Sequence, residues 1–382
     1  MSGGALAGVR VLDLSRLLPG AYLTMLLADH GAEVLKVEQP GSGDGLRVTP
    51  PWTPDGEGAV HVALNRGKGS VALDLRSDAG REALLALVDD ADLLVESFRP
   101  GVMDRLGLGW PVLSARRPSL VMVSVTAWGA DGEDGTGGAA SLVPGHDLNA
   151  QAGCGALLLA GDGTPHVPAT QLADLGAALH GAVGALAALR HAGATGEGQR
   201  VEVSMADAVL SLLPVATAAV AATGRAPEPG GDALTGGLAC YGTYRCGDGA
   251  WLAVAALEPK FFTRFVELIE RPELATWQYD PGRQDELRAA IASALASRDR
   301  AEWLEVLAGE DTCVSPVRDV AEGLDVARRR RSVVDTPLPG GTTFAQVAPV
   351  ARLSVTPARV GGHPSALGAD DGFARGVVGG RP

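Results

Sequence analysis

Val9-Arg10-Val11-Leu12-Asp13-Leu14 is an apolar run. It is followed by a helix-like stretch from Pro19 to His30, then by Gly31, then by Glu33-Val34-Leu35-Lys36-Val37-Glu38. The first and last runs carry the β-branched and aliphatic residues of buried strands, and Pro19 suits the first turn of a helix. The unit reads βαβ, which predicts a parallel sheet with a right-handed crossover. The turn between strand and helix, Ser15-Arg16-Leu17-Leu18-Pro19-Gly20, is not GxGxxG. That argues against a dinucleotide held in the usual Rossmann manner, and no P-loop sequence is present.

The pattern continues outward. Strands are predicted at Ser70–Leu75, Asp92–Glu96 and Leu120–Thr126, and a helix at Asp78–Ala91. Gln171 to His191 reads as a long Ala- and Gly-rich helix whose small residues let another backbone approach. A strand at Gln199–Ser204 and a buried helix from Met205 to Ala222 follow. Gly224 to Gly237 reads as a linker. Tyr241–Arg245 and Ala250–Ala256 flank Gly247-Asp248-Gly249, a hairpin signal. Helices are expected near Pro259–Ile269, Gln284–Ser297, Ala301–Ala308 and Asp319–Arg331. The tail from Thr336 holds one strand candidate, Val347–Val355, and its last dozen residues read as loose. The expected fold class is α/β: a large Rossmann-like parallel-sheet domain with an inserted small α+β domain. The boundaries expected are 1–222 and 326–382 for the large domain and 223–325 for the small one.

The chain has 382 residues and a net charge of −13. That balance excludes a general nucleic-acid binder, which needs cationic surface, but leaves room for an anionic ligand met by a few arginines. Cys154, Cys240, Cys246 and Cys313 form no CxxC pair and have no suitably spaced His, so no metal site or disulfide framework is read and buried thiols are expected. No secretory run opens the sequence, and no unbroken apolar stretch of membrane-span length is read. The expectation is a cytoplasmic protein with no membrane partner.

Chemistry gathers at Gly145-His146-Asp147-Leu148-Asn149. A histidine beside a carboxylate is a candidate proton-transfer site, although a helix cap or exposed turn explains the same residues. Asp174 is either a functional acid or a first-turn acid favoured by the helix dipole. Glu258, before Pro259, reads the same two ways.

The chain resembles the class III CoA-transferase family, which includes α-methylacyl-CoA racemase. The resemblance runs through Gly8–Leu14, Leu26–Glu38, Asn65-Arg66-Gly67-Lys68, Phe98-Arg99-Pro100-Gly101-Val102-Met103 and Gly196-Glu197-Gly198-Gln199. It implies that Asp174 is the family's aspartate, a covalent nucleophile in transferases and an acid/base in racemases. His146 and Glu258, the latter in Ala256-Leu257-Glu258-Pro259-Lys260-Phe261, resemble the racemase additions to it. The trio implies a racemase or epimerase inverting the α-carbon of a 2-methyl-branched acyl-CoA through an enolate, with Glu258 orienting His146 and a backbone N–H near Asp174 holding the enolate oxygen. The alternative is CoA transfer between carboxylic acids through an aspartyl anhydride at Asp174. A third, catalytically silent binding of CoA esters, stays open. The resemblance also implies CoA contacts from Leu17, Leu73, Arg76, Phe98, Arg99 and Arg105. It implies no separate cofactor, since CoA is part of the substrate, and an interlocked homodimer whose subunits share each active site. Gln39, Ala150, Ala177 and Ala178 depart from the family pattern, the last two in a way expected to crowd the acyl channel or the helix approach.

Overall fold

The computed structural model describes residues 4–130, 132–133 and 135–372. The chain divides into two compact units. The larger comprises residues 1–154, 168–212 and 326–382, and the smaller residues 155–167 and 213–325.

The larger unit holds a six-stranded parallel sheet. Its strands are β1 (Arg10–Asp13), β2 (Glu33–Glu38), β3 (Gly69–Ala72), β4 (Leu93–Glu96), β5 (Val121–Thr126) and β6 (Arg200–Ser204). They lie in the order β3-β2-β1-β4-β5-β6. Around them stand α1 (Leu17–Asp29), α2 (Ala59–Leu64), α3 (Asp78–Val88), α4 (Val102–Arg105), α5 (Trp110–Arg116), α6 (Asp147–Gly153), α7 (Leu172–Thr195) and α8 (Met205–Ser211). Strand β4 is buried along its whole length, as a strand covered on both faces must be. The strand order reverses between β1 and β4. The loops leaving those two strands therefore open a crevice at their carboxyl ends, where open α/β sheets bind ligands.

Helix α7 is long and apolar enough to cross a membrane by length and composition alone. Its small residues bring it against α1 instead: Ala173, Ala177, Ala178 and Ala185 are fully buried. A Cβ at Gly181 would stand 2.5 Å from Leu23 Cδ1.

Met205 to Ala222 is not one buried helix. It breaks into α8 and α9 (Pro214–Thr223), bent by 75°, because Pro214 cannot continue a hydrogen-bonded turn. None of the residues of α9 is buried within the chain.

A polar knot underlies β1, β2 and β3. Lys68 Nζ donates to Asp13 Oδ2 at 3.1 Å, Thr24 Oγ1 at 2.7 Å and Asn65 Oδ1 at 2.9 Å. Lys36 Nζ meets Asp44 at 2.9 Å and the Ser15 carbonyl at 2.9 Å. Asp13, Lys36 and Lys68 are all nearly inaccessible. A buried charge persists only when paired in this way.

The smaller unit has a three-stranded antiparallel sheet, β7 (Tyr241–Arg245), β8 (Trp251–Ala255) and β9 (Val314–Pro316), with the expected hairpin. Helices α10 (Pro259–Leu268), α11 (Gln284–Leu295) and α12 (Arg300–Val306) close its core around Phe262, Phe265, Leu287 and Trp303. Helix α13 (Val320–Arg329) then leads to a second hairpin, β10 (Val333–Pro337) with β11 (Thr343–Val347). The tail strand thus ends at Val347, where the sequence reading began it; Pro349 follows and offers no N–H to a ladder.

The remaining tail runs along the exposed edge of β3. Asp370 Oδ2 accepts from the Ser70 N–H and Asp371 Oδ1 from the Ala72 N–H, both at 2.8 Å, while the Asp370 N–H donates to the Ser70 carbonyl. The last ten residues, 373–382, lie outside those described, and with them most of the stretch read as loose.

Candidate active site

Two clefts open at the carboxyl ends of the strands, both within the larger unit. The first, of about 550 Å³, is walled by the loops after β1, β2, β3 and β4. It gathers Leu17, Leu73, Arg76, Phe98 and Arg99, five of the six residues expected along CoA, together with Gln39. Arg105 is exposed on α4 and is not among the lining residues, although Val102 and Leu106 of the same turn are. The cations are set among acids: Arg76 pairs with Asp74 at 3.3 Å, and Arg47 forms a bidentate pair with Glu38.

The second cleft, of about 210 Å³, continues from the first. Arg16, Leu17, Ser97, Phe98 and Arg99 line both. At the join Arg16 lies over the Phe98 ring, 5.3 Å from its centroid. Leu17 takes a φ of 60° there with its side chain 45% exposed. Such a backbone is strained for a leucine and marks a spot fixed by its surroundings.

His146 and Asp174 both line this second cleft. The Gly145–Asn149 motif leads into the start of α6. His146 is its N-cap residue, and the Asn149 Oδ1 accepts from the His146 N–H at 3.1 Å. Asn149 thereby fixes the backbone that presents the imidazole. Gly145 is required because a Cβ there would lie 2.9 Å from Cζ2 and Nε1 of Trp128, whose buried indole backs the motif.

Asp174 stands in the first turn of α7, where the dipole favours the ionised form. Its carboxyl is nevertheless pushed up to about 7, first by burial and then by the Asp147 carboxylate. Asp147 reaches α7 from α6. Its Oδ1 accepts from the Ala173 N–H at 2.7 Å and the Asp174 N–H at 3.3 Å, and its Oδ2 accepts from Gln151 Nε2 at 2.7 Å. The N–H groups of Ala173 and Asp174 are therefore both directed at Asp147. Arg16, Trp128 and Gln151 were not singled out by the sequence reading, which took Asp147 only as the carboxylate beside His146.

Ala150, Ala177 and Ala178 are fully buried and line neither cleft. These departures are absorbed by helix packing and do not crowd the space beside Asp174. Glu258 lies in the smaller unit, exposed, at the N-cap of α10. Among the described residues no group of His, Cys, Asp or Glu is arranged to hold a metal ion. The four cysteines are free. Cys240 and Cys246 are buried as expected, but Cys313 is exposed and Cys154 half-buried.

Strand order and crevice define the class first: a doubly wound α/β protein with its ligand cleft at the switch point. The chain belongs to CoA-transferase family III, matching it over residues 6–371. It is 36% identical to a succinyl-CoA:mesaconate CoA-transferase of Haloarcula hispanica, over 90% of this chain and 89% of that one. It is 33% identical to the α-methylacyl-CoA racemase of Homo sapiens, over 82% of this chain and 78% of the other. Its fold matches the crystal structure of a CAIB/BAIF family protein from Brucella suis with a TM-score of 0.84 at 27% identity, covering 98% of this chain and 99% of that one. The chain is thus an enzyme of a family whose members are both CoA-transferases and racemases.

Proposed function

We propose that the chain is a racemase or epimerase acting on the α-carbon of 2-methyl-branched acyl-CoA thioesters. The observation that carries this reading is the pairing of His146 with Asp174 in one small cleft, with the Asp174 carboxyl held near neutrality. Inversion needs a base on one face of the carbon and an acid on the other, each titrating near the working pH. A carboxyl at about 7 serves either role. One group takes the α-proton, the thioester becomes an enolate, and the other group delivers a proton to the opposite face. The CoA moiety lies in the larger cleft, its anionic groups met by Arg76 and Arg99, and its pantetheine arm passes Leu17 into the smaller one. Glu258 of a second subunit completes the site by holding the His146 imidazole, so catalysis requires an interlocked dimer.

Transfer of CoA between carboxylic acids is the second reading. It is favoured by the higher identity to the mesaconate transferase. It needs Asp174 as a nucleophile, and it has no use for His146 or Glu258.

The test is proton NMR of one enantiomer of a 2-methylacyl-CoA in D₂O without an acceptor acid. Loss of the α-proton signal with growth of the other epimer is expected. His146→Ala and Asp174→Ala should each slow inversion by about 10²–10⁴-fold. No exchange, but CoA transfer on adding a free acid, would establish the second reading instead.

A further inference from the structure

Asp147 has no part in the reaction as proposed above, yet its carboxylate accepts three hydrogen bonds. Helix α7 has no side-chain cap of its own: Gln171 stands at the N-cap without a capping bond. The orphan N–H groups of Ala173 and Asp174 are taken by Asp147, 26 and 27 residues earlier in the chain. Gln151, buried one turn further along α6, grips the other oxygen of Asp147 at 2.7 Å and reaches the Thr170 carbonyl at 3.3 Å. The two helices are thus pinned at their amino ends by one carboxylate. The residue before it is His146 and the backbone it binds carries Asp174.

We propose that Asp147 is the positioning residue of this site, fixing the Asp174 carboxyl relative to His146 and setting its protonation through its own charge. The inference rests on the proton-transfer reading. Asp147 accepts three hydrogen bonds, and burial together with the Asp147 charge pushes the Asp174 carboxyl up. Asp174 is therefore the one that holds the proton. The other charged groups on elements around the first turn of α7 are Arg16 and Arg99 in the cleft wall and His146 itself. Glu202 and Asp207 face the separate cleft beyond Trp128.

The test replaces Asp147 with Asn, which keeps an acceptor on the α7 amides and removes the charge. Asp147→Ser, an ordinary helix cap, is the second variant if the first is unstable. The Asp174 carboxyl is followed by ¹³C NMR titration with labelled aspartate, its signal assigned by loss in Asp174→Asn. We expect the Asp174 titration to fall by about one pH unit or more, with the matching limb of the α-proton exchange profile moving by the same amount. An unchanged titration overturns the assignment, whatever the activity. A shifted titration in a protein that exchanges no α-proton supports the role of Asp147 and removes the racemase reading alone.

Discussion

Asp13→Asn is the sharpest test of how the larger unit is held together. Asp13 is fully buried, and its Oδ2 lies 3.1 Å from Lys68 Nζ and 3.7 Å from Lys36 Nζ. Burial pushes its carboxyl up, but the two ammonium groups outweigh this and hold it well below the usual range. Lys36 keeps Asp44 after the substitution, whereas Lys68 is left with neutral acceptors only: Thr24, Asn65 and the Ala21 carbonyl. Removing one partner of a buried pair costs about 3–5 kcal/mol. At about 2–4 °C per kcal/mol, the melting temperature should fall by about 6–20 °C. Burial already pushes Lys68 down to about 8 from its ordinary 10.5, against the pull of Asp13. Without Asp13 it falls further. Between the folded and unfolded pKa values the unfolded chain binds more protons, so stability rises with pH across that window. The deficit of the variant is therefore largest below its own lowered Lys68 pKa and shrinks as the pH rises towards about 8, where wild-type Lys68 also loses its proton. Differential scanning calorimetry at several pH values reads both quantities. A loss below about 1 kcal/mol, or a deficit flat with pH, would refute the account.

Three further outcomes follow from the structure. Burial pushes the Glu38 carboxyl up, but Arg47, Ser70 and the Asp44 N–H outweigh it and hold it down to about 2. Its contribution is present above the ordinary 4.5 and lost as the pH falls towards about 2, so Glu38→Gln should flatten the acid-unfolding curve in that window. Gly145→Ala forces a Cβ onto Trp128 and shifts His146. Turnover of the acyl-CoA substrate should fall by about 10–100-fold while the far-ultraviolet circular dichroism is unchanged. Arg99→Ala should raise KM for acyl-CoA by about tenfold with kcat nearly unchanged, and the difference should narrow as salt is added.

The βαβ opening was legible because Val11, Leu12 and Leu14 and then Val34 and Val37 are buried, and that burial is written into two short aliphatic runs on either side of a helix pattern. The loop residues of the clefts are a different case. Leu17, Leu73 and Phe98 come together only because the strand order reverses between β1 and β4, and spacing along the chain says nothing of that reversal. Resemblance to a family, and not spacing, pointed to these residues. The hold of Asp147 on α7 was hidden for a related reason: it depends on the amino ends of α6 and α7 meeting, and nothing local to either helix states this. The break at Pro214 was written plainly, but the apolar character of the flanking residues concealed it. The tail strand was misplaced because the reading gave no weight to Pro349, which denies the stretch after Val347 a ladder N–H.

The cover on β3 has a consequence for the nascent chain. Ser70 and the Asp370 that takes its N–H are 300 residues apart. At about 5–20 residues per second, a ribosome needs roughly 15–60 s to bridge that interval. Throughout it the sheet carries an unpaired edge, open to any other extended strand nearby. The edge of β3 is thus covered by a segment made long after the strand itself, through the carboxylates of Asp370 and Asp371.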